Sequence, residues 1–219
     1  MKLNRLIIAC LTASCLFMMQ QATAANPYAG QYEIIDPPAP TSTSDKVEVV
    51  ELFWYTCPHC FSFEKSHLEA WREKKPADVE FIQMPAVFEL GGRGTALAKA
   101  YYVAKELEVF EKVHIPLFKA IHEQRKYELT REKPLQKFFA KHAGVSEKDF
   151  TDKYNSSFWV ETQMGKANKN TKKYGINSVP SVIVNGKYRL NSRITKGYGN
   201  MMKIIDYLIE KERKLLPKK

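Results

Sequence analysis

Residues 52–65 read LFWYTCPHCFSFEK and place two cysteines, Cys57 and Cys60, three positions apart. The apolar run that leads into them begins at Val47 and is rich in β-branched residues, as is typical of a buried strand. Pro58 suits the first turn of a helix, where its missing N–H would have no partner in any case. The stretch therefore predicts a strand followed at once by a helix, with the cysteine pair at the junction.

Beyond this junction, the pattern predicts a small α/β layer that is interrupted by a block of helices. A short edge strand is expected within residues 31–35 and a further strand at 79–84, after which the apolar spacing becomes helical. Strand character returns after Gly175, where two apolar runs flank Asn185-Gly186, the preferred two-residue turn of a hairpin. A last helix should present one apolar face, formed by Met201, Ile204, Ile205, Leu208 and Leu215.

These transitions divide the 219 residues into five segments. We expect a signal peptide at 1–24, a leader at 25–46, the first part of the α/β domain at 47–88, an all-helical insertion at 89–158 and the second part of the α/β domain at 159–219. The formal charge of +10 comes from basic residues that are spread along the chain. This distribution is typical of a solvated basic surface, so we expect no nucleic-acid partner.

The first 24 residues have the pattern of a secretory signal peptide: a basic start, an apolar stretch and the small-residue cleavage pattern Ala22-Thr23-Ala24. Two alternatives are a membrane anchor, for which the apolar stretch is short, and a lipid attached to Cys15. Export predicts an oxidising compartment. Removal of the signal peptide would leave Cys57 and Cys60 as the two cysteines of the exported chain.

Three kinds of site could use this pair. A structural disulfide would close a ring of only four residues, and its stabilisation would be about 2 kcal/mol. A structural zinc site needs four ligands, and the sequence contains no second C-x-x-C motif. The remaining histidines form no closely spaced pair, and we expect them on the surface or on helix faces: His67, His114, His122 and His142.

A redox pair needs only the residues that are present. Cys57 would lie at the start of a helix, where unpaired N–H groups and the positive end of the helix dipole favour a thiolate. His59, if cationic, would stabilise that thiolate further. Cys60 would lie one turn along the same face. A stabilised thiolate favours the dithiol form, so the pair is predicted to be an oxidant.

Two motifs together resemble the DsbA family of exported thiol:disulfide oxidases. One is CPHC after an apolar strand, and the other is SVPSVIVNGKYRLN at 178–191. The resemblance implies a thioredoxin fold with an inserted all-helical domain, a periplasmic location, no cofactor and no metal. It also implies reduced, unfolded exported proteins as substrates and a quinone-linked membrane partner of the DsbB type that restores the disulfide.

The resemblance further implies a role for each matching residue. Cys57 resembles the exposed nucleophile and Cys60 its buried partner, while Pro58 and His59 resemble the dipeptide that tunes the reduction potential. The peptide Val179-Pro180 resembles the cis-proline peptide that packs against the cysteines and contacts substrate.

Glu51 matches a buried acid behind the cysteines, whose usual lysine partner is here replaced by Gln83. Burial raises the pKa of a carboxyl group, and without an adjacent cation nothing would lower it again. We therefore expect Glu51 to handle the proton of Cys60. The alternative is that Glu51 faces solvent or is paired by another residue.

Two other functions remain open on the same scaffold. One is a disulfide isomerase or reductase, although residues 25–46 are too few for the N-terminal dimerisation domain of the known dimeric isomerases. The other is a peptide-binding chaperone without turnover, which the intact pair of Cys57 and Cys60 disfavours.

Overall fold

A computed structural model describes residues 26–91 and 94–217. The expected signal peptide at 1–24 lies outside the described residues, as does Cys15. Within the described ranges, no helix combines the length and the apolar character needed to cross a bilayer.

The strands form one mixed sheet. They are β1 (Glu33–Ile34), β2 (Val47–Phe53), β3 (Val79–Pro85), β4 (Ser181–Val184) and β5 (Tyr188–Asn191). Their order across the sheet is β1-β5-β4-β2-β3. β2 runs parallel to β3 and antiparallel to β4, while β5 is antiparallel to both of its neighbours. The predicted edge strand within 31–35 is thus confirmed as β1.

Helices cover both faces of this sheet. α1 (Pro58–Phe63), a π-helical segment (Glu64–Leu68) and α2 (Glu69–Lys74) follow one another without a gap in the chain. The remaining helices are α3 (Thr95–Glu106), α4 (Phe110–His122), α5 (Glu132–Ala143), α6 (Glu147–Ser156), α7 (Phe158–Lys173) and α8 (Tyr198–Arg213). Helices α3 to α6 lie between β3 and α7 in the chain, where the helical insertion was expected; its boundaries at 89 and 158 remain a prediction.

β2 is buried along its whole length because apolar clusters cover it on both sides. Val49 belongs to a cluster with residues of α8, whereas Val50 and Leu52 belong to a cluster with the helical block. A strand that is covered on both faces reads as a nearly continuous apolar run. This explains why the sequence before the cysteines is apolar throughout, apart from two glutamates.

Two expectations need correction. The turn bond of the hairpin joins the Lys187 N–H to the Val184 carbonyl at 3.0 Å, but strand pairing resumes only at Tyr188. The connection is therefore one residue longer than the predicted two. Leu215 does not share the apolar face of α8, because the helix ends at Arg213 and Leu215 is 67% exposed. The other four residues of that face are buried as predicted: Met201, Ile204, Ile205 and Leu208.

Side chains occupy part of the open edge of the sheet at β3. Lys75 Nζ donates to the Val79 carbonyl at 2.8 Å, and the Tyr101 hydroxyl donates to the Gln83 carbonyl at 2.5 Å. At the opposite edge, β1 is only two residues long. Both edges of the sheet are therefore shortened or partly occupied.

Candidate active site

The two cysteines lie at the junction between β2 and α1. Cys57 is the N-cap of the helix, and its sulfur accepts a hydrogen bond from the Cys60 N–H at 3.4 Å. Cys57 is half-buried, whereas Cys60 has no exposed surface. The two sulfurs are not bonded to each other in this structure. The predicted strand–helix junction is confirmed, with Pro58 in the first turn.

Several hydrogen bonds favour the thiolate of Cys57. The pKa of Cys57 is lowered from 9.0 to about 6, chiefly by a hydrogen bond from the Cys60 side chain. Partial burial opposes this shift, while the backbone N–H groups of Cys60 and His59 and the charge of His59 support it. The backbone N–H groups and the charge of His59 are the contributions that the sequence predicted, whereas the largest one, from the Cys60 side chain, was not predicted.

Cys60 experiences the opposite environment. Burial raises the pKa of its thiol, and the Cys57 sulfur and the charge of Glu51 raise it further. The motif thus holds two sulfurs within one helical turn, of which one is stabilised as a thiolate and the other as a thiol. In a disulfide between them, Cys57 would be the better leaving group and the more accessible sulfur.

The loop before β4 completes the mouth of the site. The Cys57 thiol donates to the Val179 carbonyl at 3.6 Å, so the sulfur and this backbone segment lie side by side. Val179 is half-buried and Pro180 is buried, and the peptide bond between them is cis. A second cis peptide, Asp36-Pro37, was not expected.

The two residues between the cysteines face outward. Pro58 and His59 are both exposed. The carbonyl of His59 accepts a hydrogen bond from the Tyr198 hydroxyl at 3.3 Å, which ties the CPHC turn to the start of α8. This contact involves the His59 backbone, and the His59 side chain remains exposed.

Glu51 lies in the interior, as expected, and its exposed fraction is 1%. It pairs in register with Gln83 of β3, whose Nε2 donates to Glu51 Oε2 at 2.7 Å. Burial and the charge of Glu64 raise the pKa of Glu51 to about 8, against the hydrogen bond from Gln83 and the charge of Arg72. A solvent-facing Glu51 is excluded. However, the expectation that no cation is near was wrong, because Arg72 acts on Glu51.

Sequence reasoning missed the network through which Arg72 acts. Gln83 Nε2 also donates to Glu64 Oε2 at 2.7 Å, and Gln83 Oε1 accepts from Arg72 at 3.2 Å. Arg72 pairs directly with Glu64. Burial raises the pKa of Glu64, but the directly paired Arg72 and the nearby His114, whose Nε2 lies 3.9 Å from Glu64 Oε2, outweigh it and leave the pKa lowered. One signal was readable: Glu64 follows Cys60 by four residues and so shares its helix face.

One of the four histidines is buried. His114 lies on a helix face, as expected, but this face of α4 packs into an aromatic cluster with Phe53 and Phe118 instead of meeting solvent. Its Nδ1 lies 2.7 Å from the Tyr55 hydroxyl, and His122 Nε2 lies 2.7 Å from the Tyr55 carbonyl.

Over residues 26–91 and 94–217, no group of three or more His, Cys, Asp or Glu side chains could hold a metal ion.

This arrangement is similar to known proteins in both sequence and structure. A family model described as Thioredoxin matches residues 42–206. The thiol:disulfide interchange protein DsbA of Pseudomonas aeruginosa is 39% identical over 212 residues, which cover 96% of this chain and 97% of the relative. The protein of the same name from Azotobacter vinelandii is 39% identical over 217 residues and is covered to 99%.

Solved structures agree with these sequence matches. The crystal structure of Pseudomonas aeruginosa DsbA has a TM-score of 0.78 and covers 86% of this chain and 95% of its own. The structure of the oxidoreductase DsbA from Xylella fastidiosa has a TM-score of 0.76 at 33% identity, with 84% of this chain and 95% of its own covered. The order of the strands and the position of the helical insertion are thus those of a thioredoxin-like fold with inserted helices.

Proposed function

We infer the mechanism of this chain from one premise: the chain belongs to the DsbA family of thiol:disulfide interchange proteins. It is a disulfide-forming thiol:disulfide oxidoreductase on a thioredoxin fold with inserted helices. The observation that carries the mechanism is the placement of the two sulfurs within one helical turn, with Cys57 half-buried at the helix start and Cys60 fully buried.

We propose that the oxidised form holds a disulfide between Cys57 and Cys60. A substrate thiolate attacks the Cys57 sulfur, a mixed disulfide forms, and the electron pair of the broken bond leaves on Cys60. A second thiolate of the substrate then attacks the substrate sulfur of the mixed disulfide, and Cys57 leaves as a thiolate. The substrate loses two electrons as its disulfide forms, and the enzyme gains them as a reduced cysteine pair.

The proton balance gives Glu51 its role. Two substrate thiols release two protons, and Cys60 takes up one proton because burial disfavours its thiolate. A Glu51 with a pKa of about 8 is mostly protonated at neutral pH and can donate to the leaving Cys60 through an intervening water. Glu51 is then reprotonated. The other proton goes to solvent, because Cys57 remains a thiolate.

Val179 and Pro180 are proposed to receive the substrate chain. An extended peptide beside Cys57 could pair with the backbone of Val179 by strand addition, which recognises main chain rather than a particular sequence. The Val179 carbonyl is 3.6 Å from the attacked sulfur, so such pairing would align the reacting groups. Pro58 and His59 are proposed to tune the potential through the helix start and the charge beside it.

The cellular setting follows from the same proposal. The substrates would be reduced, unfolded proteins that have been exported, and the site of action would be the periplasm. The signal peptide at 1–24 is preferred over a lipid anchor at Cys15. A quinone-linked membrane protein of the DsbB type would restore the disulfide. No cofactor is required, because the two sulfurs carry the electrons.

A single assay tests the function. The oxidised protein is mixed with a reduced, unfolded substrate, and substrate thiols and enzyme thiols are counted over time. Net loss of two substrate thiols for each enzyme disulfide supports the oxidase. Reshuffling of a scrambled substrate without net thiol loss would instead identify an isomerase, and retained substrate thiols with suppressed aggregation would identify a chaperone.

A further inference from the structure

A pocket of about 540 Å³ lies in the helical block and includes none of the residues of the cysteine site. Its wall on one side is α5, and its wall on the other is the segment 126–131. This volume is within the range of pockets that hold small organic molecules. The pocket therefore has the size of a ligand site, and its lining determines which chemistry would fit.

The lining of α5 follows one helix face. Six residues of α5 line the pocket. Beside Lys133, five of them have the spacing expected of a single face: Pro134, Lys137, Phe138, Lys141 and His142. A helix face with this spacing is normally apolar and covered by another element. Here two of its five residues are lysines, and the element opposite is the short 3₁₀ segment Tyr127–Thr130. The face thus combines an apolar base with charged sides.

The floor of the pocket is apolar. Leu129 and Phe138 are buried, with exposed fractions of 3% and 5%. The ring of Phe138 stacks on His142 with the centroids 4.1 Å apart. Both side chains line the pocket, so the little apolar surface that they keep is available to a group that enters it.

The rim is strongly basic. It carries one acid, Glu128, against five cations: Lys126, Arg131, Lys133, Lys137 and Lys141. None of the five forms a salt bridge with any carboxylate in the part of the chain that the structure describes. Burial lowers the pKa of His142, and the charges of Lys141 and Lys126 lower it further. Several positive charges thus act at one place and raise the local concentration of anions.

We propose that this pocket binds a small amphiphilic anion, namely a single-chain carboxylate or sulfate. The alkyl chain lies on Leu129 and Phe138, and the anionic head lies among the lysines of the rim. An anionic bilayer surface is a worse match, because Leu129 and Phe138 are almost fully buried and offer little apolar surface to a flat membrane. Nucleic acid is also a worse match, because the cations surround a pocket instead of following a stripe.

Decanoate below its micelle concentration is the probe. Backbone NMR of the protein should show saturable shifts confined to residues near Leu129, Phe138 and His142, whereas acetate should give none and decanol should bind more weakly than decanoate. Affinity should rise across octanoate, decanoate and dodecanoate, by up to about fourfold per methylene that is buried. It should fall with added salt, because the rim charges are exposed.

Two charge-matched double variants separate the pocket from the general surface. Lys137→Gln with Lys141→Gln should weaken decanoate binding by about three- to tenfold. Lys172→Gln with Lys173→Gln, two exposed lysines at the end of α7, should leave it unchanged. Neither pair touches the cysteine site, so both variants should keep full oxidase activity, which also confirms that they are folded.

Three results would overturn the proposal. Equal weakening in both double variants would mean that net charge alone attracts the anion. Retention on phosphatidylglycerol vesicles without binding of monomeric decanoate would identify a membrane surface. Binding of acetate as tightly as decanoate would show that the apolar floor has no role.

Discussion

The mouth of the active site and the interior directly behind it shift the pKa values of two identical thiols in opposite directions. In the mouth, formed by Cys57, His59 and Val179, the sulfur is half-exposed and surrounded by hydrogen-bond donors, and its pKa falls to about 6. In the interior, formed by Cys60 and Glu51, burial and negative charge raise the thiol pKa. The difference teaches that position, rather than residue type, decides which thiol is favoured as a thiolate and which one is kept protonated.

The largest effect is expected when each of the two sulfurs is removed in turn. Cys57→Ser removes the attacked atom, so oxidation of a reduced substrate should fall to the uncatalysed rate. Cys60→Ala keeps the reactive thiolate without the partner that releases it. This variant should accumulate mixed disulfides with a disulfide-containing peptide, seen on non-reducing gels. Equal trapping by Cys57→Ser would reverse the assignment.

The next effect is on stability and depends on pH. The folded-state pKa of Cys57 is depressed, so its contribution is present above 9.0 and is lost as the pH falls to about 6. The full shift corresponds to about 4 kcal/mol, which we reduce to about 2 kcal/mol because solvent screens a half-buried group. Only the reduced form has this thiolate. The unfolding free energy of the reduced form minus that of the oxidised form should therefore increase as the pH rises from about 6 to 9.0.

The pKa of Glu51 is shifted in the opposite direction, so its effect on stability has the opposite pH dependence and serves as the internal control. Its raised pKa makes both redox forms lose stability as the pH rises from 4.5 to about 8, so its contribution largely cancels in the difference. Urea unfolding of both forms across the range measures this. A reduced-minus-oxidised difference that stays flat between pH 6 and 9 would contradict the depressed pKa of Cys57.

A smaller effect, on the exchange rate, is expected when the buried carboxyl group of Glu51 is removed. Glu51→Gln should slow the steps in which Cys60 gains or loses a proton by about tenfold, at or below the low end of general acid catalysis. The Cys57 titration should stay near 6. Stopped-flow exchange across pH, followed by tryptophan fluorescence, measures the rates. Glu80→Gln, which removes a carboxyl from a surface ion pair with Lys46, is the matched control. Unchanged rates at every pH would remove Glu51 from the mechanism.

The smallest effect concerns the amide between the two interior carboxyls. Gln83→Met removes a hydrogen bond that lowers the pKa of Glu51, which should then rise above about 8. Glu51 is already mostly protonated at neutral pH, so the exchange rate there should change by less than about twofold. The exchange rate decreases at alkaline pH as Glu51 loses its proton, and this decrease should occur at a higher pH in the variant. Movement to lower pH in the same stopped-flow measurement would mean that Gln83 does not act through Glu51.

The sequence predicts the elements that form the mouth of the active site better than the contacts in the interior behind it, and the reason is physical. The apolar run from Val47, the helix at Pro58 and the hairpin around Asn185 depend on local spacing and turn chemistry, so they can be predicted from adjacent residues. The contact of Gln83 with Glu51 depends on the register between β2 and β3. The burial of His114 depends on the direction in which α4 packs, and neither is encoded within a few residues.

Errors at element ends have a different cause. Leu215 continues the apolar spacing of α8, but the helix has already ended at Arg213. The apolar runs around Asn185 likewise lie where predicted, but strand pairing resumes only at Tyr188. In both cases the period of the apolar residues was correct and the boundary was not. Arg72 was missed because it acts from the surface end of the network, 30% exposed, on groups that are buried.

The partly occupied edge of the sheet has a consequence for a protein that works among unfolded chains. Such chains carry unpaired strands, and an open sheet edge would recruit them into aggregates. At β3, Lys75 and Tyr101 already occupy two of the carbonyls that an intruding strand would need. At β1, two residues offer too short a template. On the proposed function, an unfolded substrate would find few free backbone groups at either edge, and the backbone beside Cys57 would be where it pairs and is released again.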